Sequence, residues 1–166
     1  RGYINGEWHS HLILLCENMT GYKNLIHMVS LAFSEGFYMK PRIDMELLRE
    51  HSEGLICMSA CLAGAIPRAI ANGNMDEEIC EQFLEIFDRE HFYLEIQDHG
   101  IEEQKKVNEG LYQLAKELNL DLVATNDAHY LTRADARTQD ILMAIQMGKT
   151  VDDPTRMKFE TQEFYI

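Results

Sequence analysis

The amino-acid sequence predicts an α/β fold with a mostly parallel sheet. Four short apolar runs have the length of β-strands, and three of them are continuous rather than alternating, as is typical of strands covered on both faces. Segments with apolar residues at helical spacing separate these runs. Strands that alternate with helices favour a sheet in which helical crossovers make most neighbouring strands parallel.

The predicted elements follow in order along the chain. Strands are expected at residues 11–16, 54–59, 92–96 and 121–126. The first helix should follow Gly21, and its apolar face should comprise Tyr22, Leu25, Ile26, Val29 and Phe33. A second apolar helical stripe begins at Ile79, with Asn74 as the expected N-cap, and a third runs from Val107 to Leu118.

The last predicted helix begins after Thr132, where Thr-Arg-Ala-Asp has the spacing of a capping box. It should run through Ile141, Leu142 and Ile145 and end near Gly148. The segments 39–43 and 151–159 contain Pro41 and Pro154 and are expected to be loops.

Length and composition indicate one globular domain. The 166 residues are 46% apolar and 26% charged, which suffices for a single hydrophobic core. The net charge of −13 argues against a principal nucleic-acid surface, because phosphate contacts require clustered Lys and Arg. No apolar run approaches the ~20 residues of a membrane span, and the four cysteines contain no Cys-x-x-Cys pair. We therefore expect a cytoplasmic protein with reduced thiols.

The ends of the chain suggest a piece of a longer protein, because it starts at Arg1 without Met and stops at Ile166 within an apparently continuing segment. We expect residues 1–10 to be a flexible N-terminal stretch and residues 11–150 to form the domain. Residues 151–166 would then be a loop leading onward.

Asp127 and His129 form the most informative pair of candidate ligands. They follow a predicted apolar strand, and residues two apart in a strand point to the same face. A carboxylate and an imidazole at the C-terminal end of a buried strand are suitable ligands for zinc or manganese. The alternative is that the two residues only open the following turn.

Cys61 differs from the other cysteines because it follows the strand 54–59 at a strand-to-helix junction. A helix N-terminus there would lower the pKa of its thiol and favour metal binding. If His11 points into the same space, four suitable ligands converge. The triplets His9-Ser10-His11 and Asp98-His99-Gly100 are further candidates, although the second could simply be a turn.

Six ordered stretches carry a resemblance to a known family. They are residues 11–25 (HLILLCENMTGYKNL), 35–44 (EGFYMKPRID), 59–64 (SACLAG), 97–100 (QDHG), 124–130 (ATNDAHY) and 148–154 (GKTVDDP). Together they resemble the PHP (polymerase and histidinol phosphatase) domain of bacterial replicative DNA polymerase III alpha subunits. The resemblance extends from about residue 11 to the end of the chain. It implies a partial, distorted (β/α)₇ barrel of mostly parallel strands.

The resemblance also implies a divalent metal site, of Zn or Mn, at the C-terminal ends of the strands. Four of up to nine ligands match here: His11, Cys61, Asp127 and His129. The family's own His-x-His and Thr-Asp-His-Gly motifs lie upstream of this chain. The resemblance therefore removes His9 and the Asp98-His99-Gly100 triplet as ligands.

The implied activity belongs to a longer parent, which would synthesise DNA together with other replisome subunits. A complete PHP site would add metal-dependent 3′–5′ exonuclease proofreading. With four of nine ligands, the fragment alone should bind metal weakly or not at all and lack nuclease activity. Unpaired strand edges in a truncated barrel also allow a homodimer. The alternative is a non-catalytic structural or interaction module within the replicase.

Overall fold

Four strands form one sheet in the computed structural model, which describes residues 9–74 and 77–166. They are β1 (Ile13–Cys16), β2 (Leu55–Met58), β3 (Phe92–Ile96) and β4 (Leu122–Ala124), and they lie side by side in that order. β2, β3 and β4 are parallel, whereas β1 is antiparallel to β2. The predicted α/β fold with a mostly parallel sheet is confirmed.

The direction of β1 has a geometric consequence. Because β1 alone runs the other way, the residues that precede it lie at the same edge of the sheet as those that follow β2, β3 and β4. This edge is the one where the carboxyl ends of parallel strands meet and where α/β proteins place their ligands.

The helices lie between and after the strands. They are α1 (Met19–Ser34), α2 (Met45–Glu50), α3 (Ala65–Ala71), α4 (Glu77–Leu84), α5 (Glu102–Leu118) and α6 (Ala136–Gln146). A 3₁₀ turn (Arg133–Asp135) precedes α6, and its N-cap Thr132 makes the predicted capping box. The expected N-cap of α4, Asn74, stays a prediction because residues 75 and 76 lie outside the described residues, as do residues 1–8 of the expected flexible stretch.

The hydrophobic core lies between the two central strands and the helices α3, α4 and α5. Phe92 and Leu94 of β3 are fully buried, as are Leu111 and Leu114 of α5. The ring of Phe92 stacks on Phe83 of α4 with centroids 5.4 Å apart. This packing holds β2 and β3 rigidly in the middle of the sheet.

The outer strands are more exposed than the sequence predicts. Leu15 of β1 and Leu122 of β4 are 49% and 37% exposed, so the expectation that these runs are covered on both faces is wrong. Within the described residues each has a neighbouring strand on one side only. A continuous apolar run indicates that a strand can be buried, but it does not show whether that strand lies at the edge of the sheet.

The apolar face predicted for α1 also lies mostly at the surface. The helix buries Gly21, Met28 and Ala32, while Phe33 is 60% exposed. Gly21 explains this orientation, because a Cβ atom there would lie 1.8 Å from the carbonyl oxygen of Gly54. The closest approach of the helix is therefore at Gly21, and of the predicted apolar face Tyr22, Ile26, Val29 and Phe33 remain exposed.

Candidate metal centre

His11 lies against the loop that follows β2. Its backbone N–H donates to the carbonyl oxygen of Ala63 at 3.0 Å, and it forms an isolated parallel bridge with Gly64. This pairing places the Nδ1 atom of His11 3.6 Å from the Sγ atom of Cys61. The structure therefore brings together two of the four predicted ligands, which are 50 residues apart in sequence.

Cys61 occupies a tight loop rather than a helix N-terminus. Ala60 before it has a positive φ of 66°, and α3 begins only at Ala65. Burial raises the pKa of the Cys61 thiol, and the carboxylates of Asp127 and Glu95 raise it further against backbone hydrogen bonds that lower it. The predicted lowering of this pKa is wrong, because burial and nearby negative charge outweigh the amide dipoles.

Asp127 and His129 are adjacent for a different reason from the one expected. β4 ends at Ala124, and Asp127 has a φ of 39°, so the chain turns here and does not continue as a strand. The turn nevertheless leaves Asp127 Oδ1 3.5 Å from His129 Nε2. The sequence left open whether these residues form a turn or a pair of adjacent ligands. In the structure they form a turn, and their side chains are nevertheless adjacent.

The C-terminal segment holds His129 in place. The backbone N–H of His129 donates to the carbonyl oxygen of Phe164 at 2.8 Å. Its ring lies 4.7 Å from the ring of Phe159 and 5.8 Å from that of Phe164, measured between centroids. Residues after position 150, expected only as a loop leading onward, thus form one wall of the candidate site.

Electrostatics connect the His11–Cys61 pair with the Asp127–His129 pair. Burial lowers the pKa of His11, and the negative charge of Asp127 acts in the opposite direction. The same carboxylate acts on Cys61. Across residues 9–74 and 77–166, however, there is no group of three or more His, Cys, Asp or Glu side chains close enough to hold a metal ion. The residues therefore form two pairs at one edge of the sheet rather than a closed cluster.

The donor atoms themselves suit a divalent metal. Imidazole and thiolate favour zinc, and the combination of carboxylate with imidazole suits zinc or manganese. His11, Cys61, Asp127 and His129 would supply one atom each. The chemistry of this set fits a metal, although its arrangement here is open.

His99 has a structural role. It is completely buried, and its ring stacks on Phe164 with centroids 4.0 Å apart. Gln104 Nε2 lies 2.7 Å from its Nδ1, and the carbonyl oxygen of Asn126 lies 2.7 Å from its Nε2. Both ring nitrogens are therefore engaged, and His99 fixes the residue directly before Asp127.

His9 lies at the surface, and its carbonyl oxygen accepts a hydrogen bond from Arg68.

Sequence reasoning missed Glu95, a buried carboxylate near the C-terminal end of β3. It is 4% exposed, and its Oε1 atom accepts hydrogen bonds from Gln97 and Thr125. The available signal was an acidic residue inside the otherwise apolar strand Phe-Tyr-Leu-Glu-Ile. Because a buried charge is costly, such a residue marks a polar interior at this end of the sheet.

Comparison with known families identifies the class of protein. The model of the PHP domain family matches residues 2–99, which is more than half of the chain. The chain therefore belongs to the PHP domain family, whose members are generally metal-dependent. His11 and Cys61 lie within the matched residues, and Asp127 and His129 lie beyond them.

Individual relatives narrow this class further. The chain is 49% identical over 158 residues to the DNA polymerase III subunit alpha of Thermus aquaticus, covering 94% of this chain and 13% of the relative. It is 46% identical over 163 residues to the protein of the same name from Treponema pallidum, covering 97% and 14%. The match to the protein of that name from Borreliella burgdorferi is 47% identical, with the same coverage. The chain spans about one seventh of the length of these relatives.

None of the helices in the described part of the chain has the length and apolar character required to cross a membrane.

Proposed function

We propose that this chain is the later part of the PHP domain of a replicative DNA polymerase III alpha subunit, and that it supplies four ligands to a divalent-metal site. The observation that carries the proposal is the meeting of His11 with Cys61, and of Asp127 with His129, at one edge of the sheet. The matches to two DNA polymerase III alpha subunits, at 49% and 46% identity over 94% and 97% of this chain, support the assignment.

Each residue has a distinct part in holding the metal. Cys61 would supply a thiol that must ionise on binding, and His11 would supply an imidazole whose pKa is lowered by burial, which favours the neutral form that binds metal. Asp127 would supply a negative charge that acts on both His11 and Cys61. His129 is oriented by the rings of Phe159 and Phe164. A bound divalent cation activates water and polarises a phosphodiester, which is the chemistry that a nuclease requires.

The parent protein would then perform two reactions. Its polymerase core would extend DNA in the cytoplasm with other replisome subunits, and its PHP domain would remove mispaired 3′ nucleotides as a 3′–5′ exonuclease. The chain alone should bind metal weakly and lack nuclease activity, because the remaining ligands would come from elsewhere in the parent.

Nuclease assays on single-stranded DNA with Mn²⁺ test this proposal. We expect the longer protein to degrade a 3′-labelled strand, and we expect His129→Ala to abolish that activity while polymerase activity is retained. The isolated chain should be inactive. Activity in the isolated chain that His129→Ala removes would contradict the assignment of further ligands to the rest of the parent.

A structural or interaction module is the second candidate. The observation that favours it is the exposed apolar surface of α1, where Tyr22, Ile26, Val29 and Phe33 are each about half exposed or more. The acidic net charge of −13 is also consistent with a protein partner. Metal analysis of the longer protein distinguishes the two candidates: two or three bound ions favour the enzyme, and none favours the module.

A further inference from the structure

Glu95 is a buried carboxylate with one unused oxygen. Its Oε1 atom accepts hydrogen bonds from Gln97 Nε2, at 3.0 Å, and from the hydroxyl of Thr125. Its Oε2 atom is buried and has no hydrogen-bond partner within the described part of the chain. An unsatisfied buried oxygen on a charged group costs free energy, so a residue of this kind requires a compensating role.

The position of Glu95 connects the two strand ends that carry the candidate ligands. Its backbone N–H donates to the hydroxyl of Ser59 at 2.8 Å, and Ser59 lies two residues before Cys61. Its side chain accepts from Thr125, which lies two residues before Asp127. Glu95 therefore links the end of β2 to the end of β4 across the intervening strand.

The carboxylate of Glu95 also lies close to one of the candidate ligands, Cys61. A small cavity of about 10 Å³ lies beside it and is lined by Cys61, Gln97 and Asn108 among others, which is about the space that one water molecule requires. Glu95 and Cys61 both line this cavity. A divalent cation held by Cys61 would therefore lie near the buried carboxylate, whose negative charge would stabilise it.

We propose that Glu95 is a positioning residue of the metal centre: it holds the strand ends that carry Cys61 and Asp127 together and adds its negative charge to the stabilisation of a bound divalent cation. Its hydrogen bonds alone could be made by a glutamine. A glutamine at this position would therefore keep a purely structural role but lose the electrostatic one. The inference rests on the proposed metal site and extends it by a residue outside the set of four ligands.

The test measures Mn²⁺ binding to the longer protein by titration calorimetry, with the metal alone as ligand. Glu95→Gln keeps the shape and removes the charge, and we expect it to weaken binding about 10- to 100-fold, as is usual for partners of metal ligands. Glu103→Gln removes an exposed carboxylate on α5 and should leave the affinity unchanged. Melting temperatures without metal show whether each variant is folded.

A second pair of variants tests the connection between strands. Thr125→Val removes the hydroxyl that donates to Glu95 and should weaken Mn²⁺ binding, whereas Thr125→Ser retains a hydroxyl and should restore it. If the unsubstituted protein binds Mn²⁺ and Glu95→Gln binds it equally well, the role of Glu95 is refuted and the metal site stands. If the unsubstituted protein binds none, the proposed metal site itself fails, and the role of Glu95 with it.

Discussion

At the scale of a single residue, the environment of Cys61 favours the neutral thiol, whereas metal binding requires the thiolate. Its thiol is half-buried and lies near Asp127 and Glu95, so its pKa is raised, although metal binding requires the thiolate. A thiol in this position is a poor nucleophile without a cation. Its Sγ atom lies 3.6 Å from His11 Nδ1, so the two proposed ligands are already adjacent.

We predict that Cys61→Ala lowers the Zn²⁺ affinity of the longer protein at least tenfold, because one donor atom is lost. Cys61→His should retain most of the affinity, since imidazole is an equally suitable zinc ligand. Competition with a chromogenic chelator measures both. Cys16→Ala, at an exposed thiol at the opposite end of β1 from His11, is the control. Equal affinities for Cys61→Ala and the unsubstituted protein would exclude Cys61 as a ligand.

Arg156 and Asp140 make a second interaction at the scale of residues. Two guanidinium nitrogens lie 2.5 and 2.8 Å from the two carboxylate oxygens and bind the loop after α6 to that helix. The hydrogen bond from Arg156 lowers the pKa of Asp140. The unfolded chain therefore takes up a proton at this carboxyl at a higher pH than the folded chain does.

The stabilisation by Asp140 should be fully present above the pKa of the unfolded carboxyl, about 3.9, and should be lost as the pH falls through the lower pKa of the folded state. We predict that Asp140→Asn destabilises the protein at pH 7 and has a much smaller effect near pH 2. Urea unfolding at the two pH values measures this. Asp121→Asn, at an exposed residue, is the control, and a pH-independent effect of Asp140→Asn would contradict the assigned cause.

At the scale of elements, features that depend on neighbouring residues could be predicted from the sequence, whereas the packing of one element on another could not. The capping box at Thr132 is confirmed, because it depends on side chains three residues apart. The burial of α1 is not as predicted, because its orientation is set by contact between Gly21 and Gly54, 33 residues apart. The antiparallel direction of β1 is likewise a tertiary feature, and it is what brings His11 to the site.

We predict that Thr132→Ala destabilises the protein by about 0.5–2 kcal/mol, because it removes the hydroxyl that donates to Asp135 and leaves only the backbone half of the cap. Thr138→Ala, at an exposed position within α6, is the matched control. It should be neutral or slightly stabilising, since Ala has the higher helix propensity. Chemical denaturation measures both, and equal effects at the two positions would argue against the cap.

The four candidate ligands show how much of the site can be predicted from the sequence. Residue types at strand ends, with the family resemblance, predict His11, Cys61, Asp127 and His129 as candidates, but the pairing of His11 with Cys61 depends on strand direction. The turn at Asp127 and the raised pKa of Cys61 arise from the folded environment. Glu95 is an acidic residue in an otherwise apolar strand, but its hydrogen bonds with Ser59 and Thr125, which are distant in sequence, are visible only in the folded structure.

At the scale of the whole molecule, the central strands pack tightly against α3, α4 and α5. The helices α1 and α6, in contrast, present apolar residues to solvent. Ile141, Leu142 and Ile145 of α6 are exposed, as is most of the predicted apolar face of α1. The chain spans about one seventh of its relatives. This agrees with the proposal that the two pairs of candidate ligands are part of a larger metal centre in a longer protein.

The metal content of the longer protein tests this account most directly. After dialysis against metal-free buffer, mass spectrometry of the acid-released ions would be compared for the unsubstituted protein and the Asp127→Asn/His129→Ala double variant. The account predicts that the unsubstituted protein retains zinc or manganese and that the folded double variant loses at least one ion per molecule. Equal metal content in the two proteins, or none in either, would contradict it.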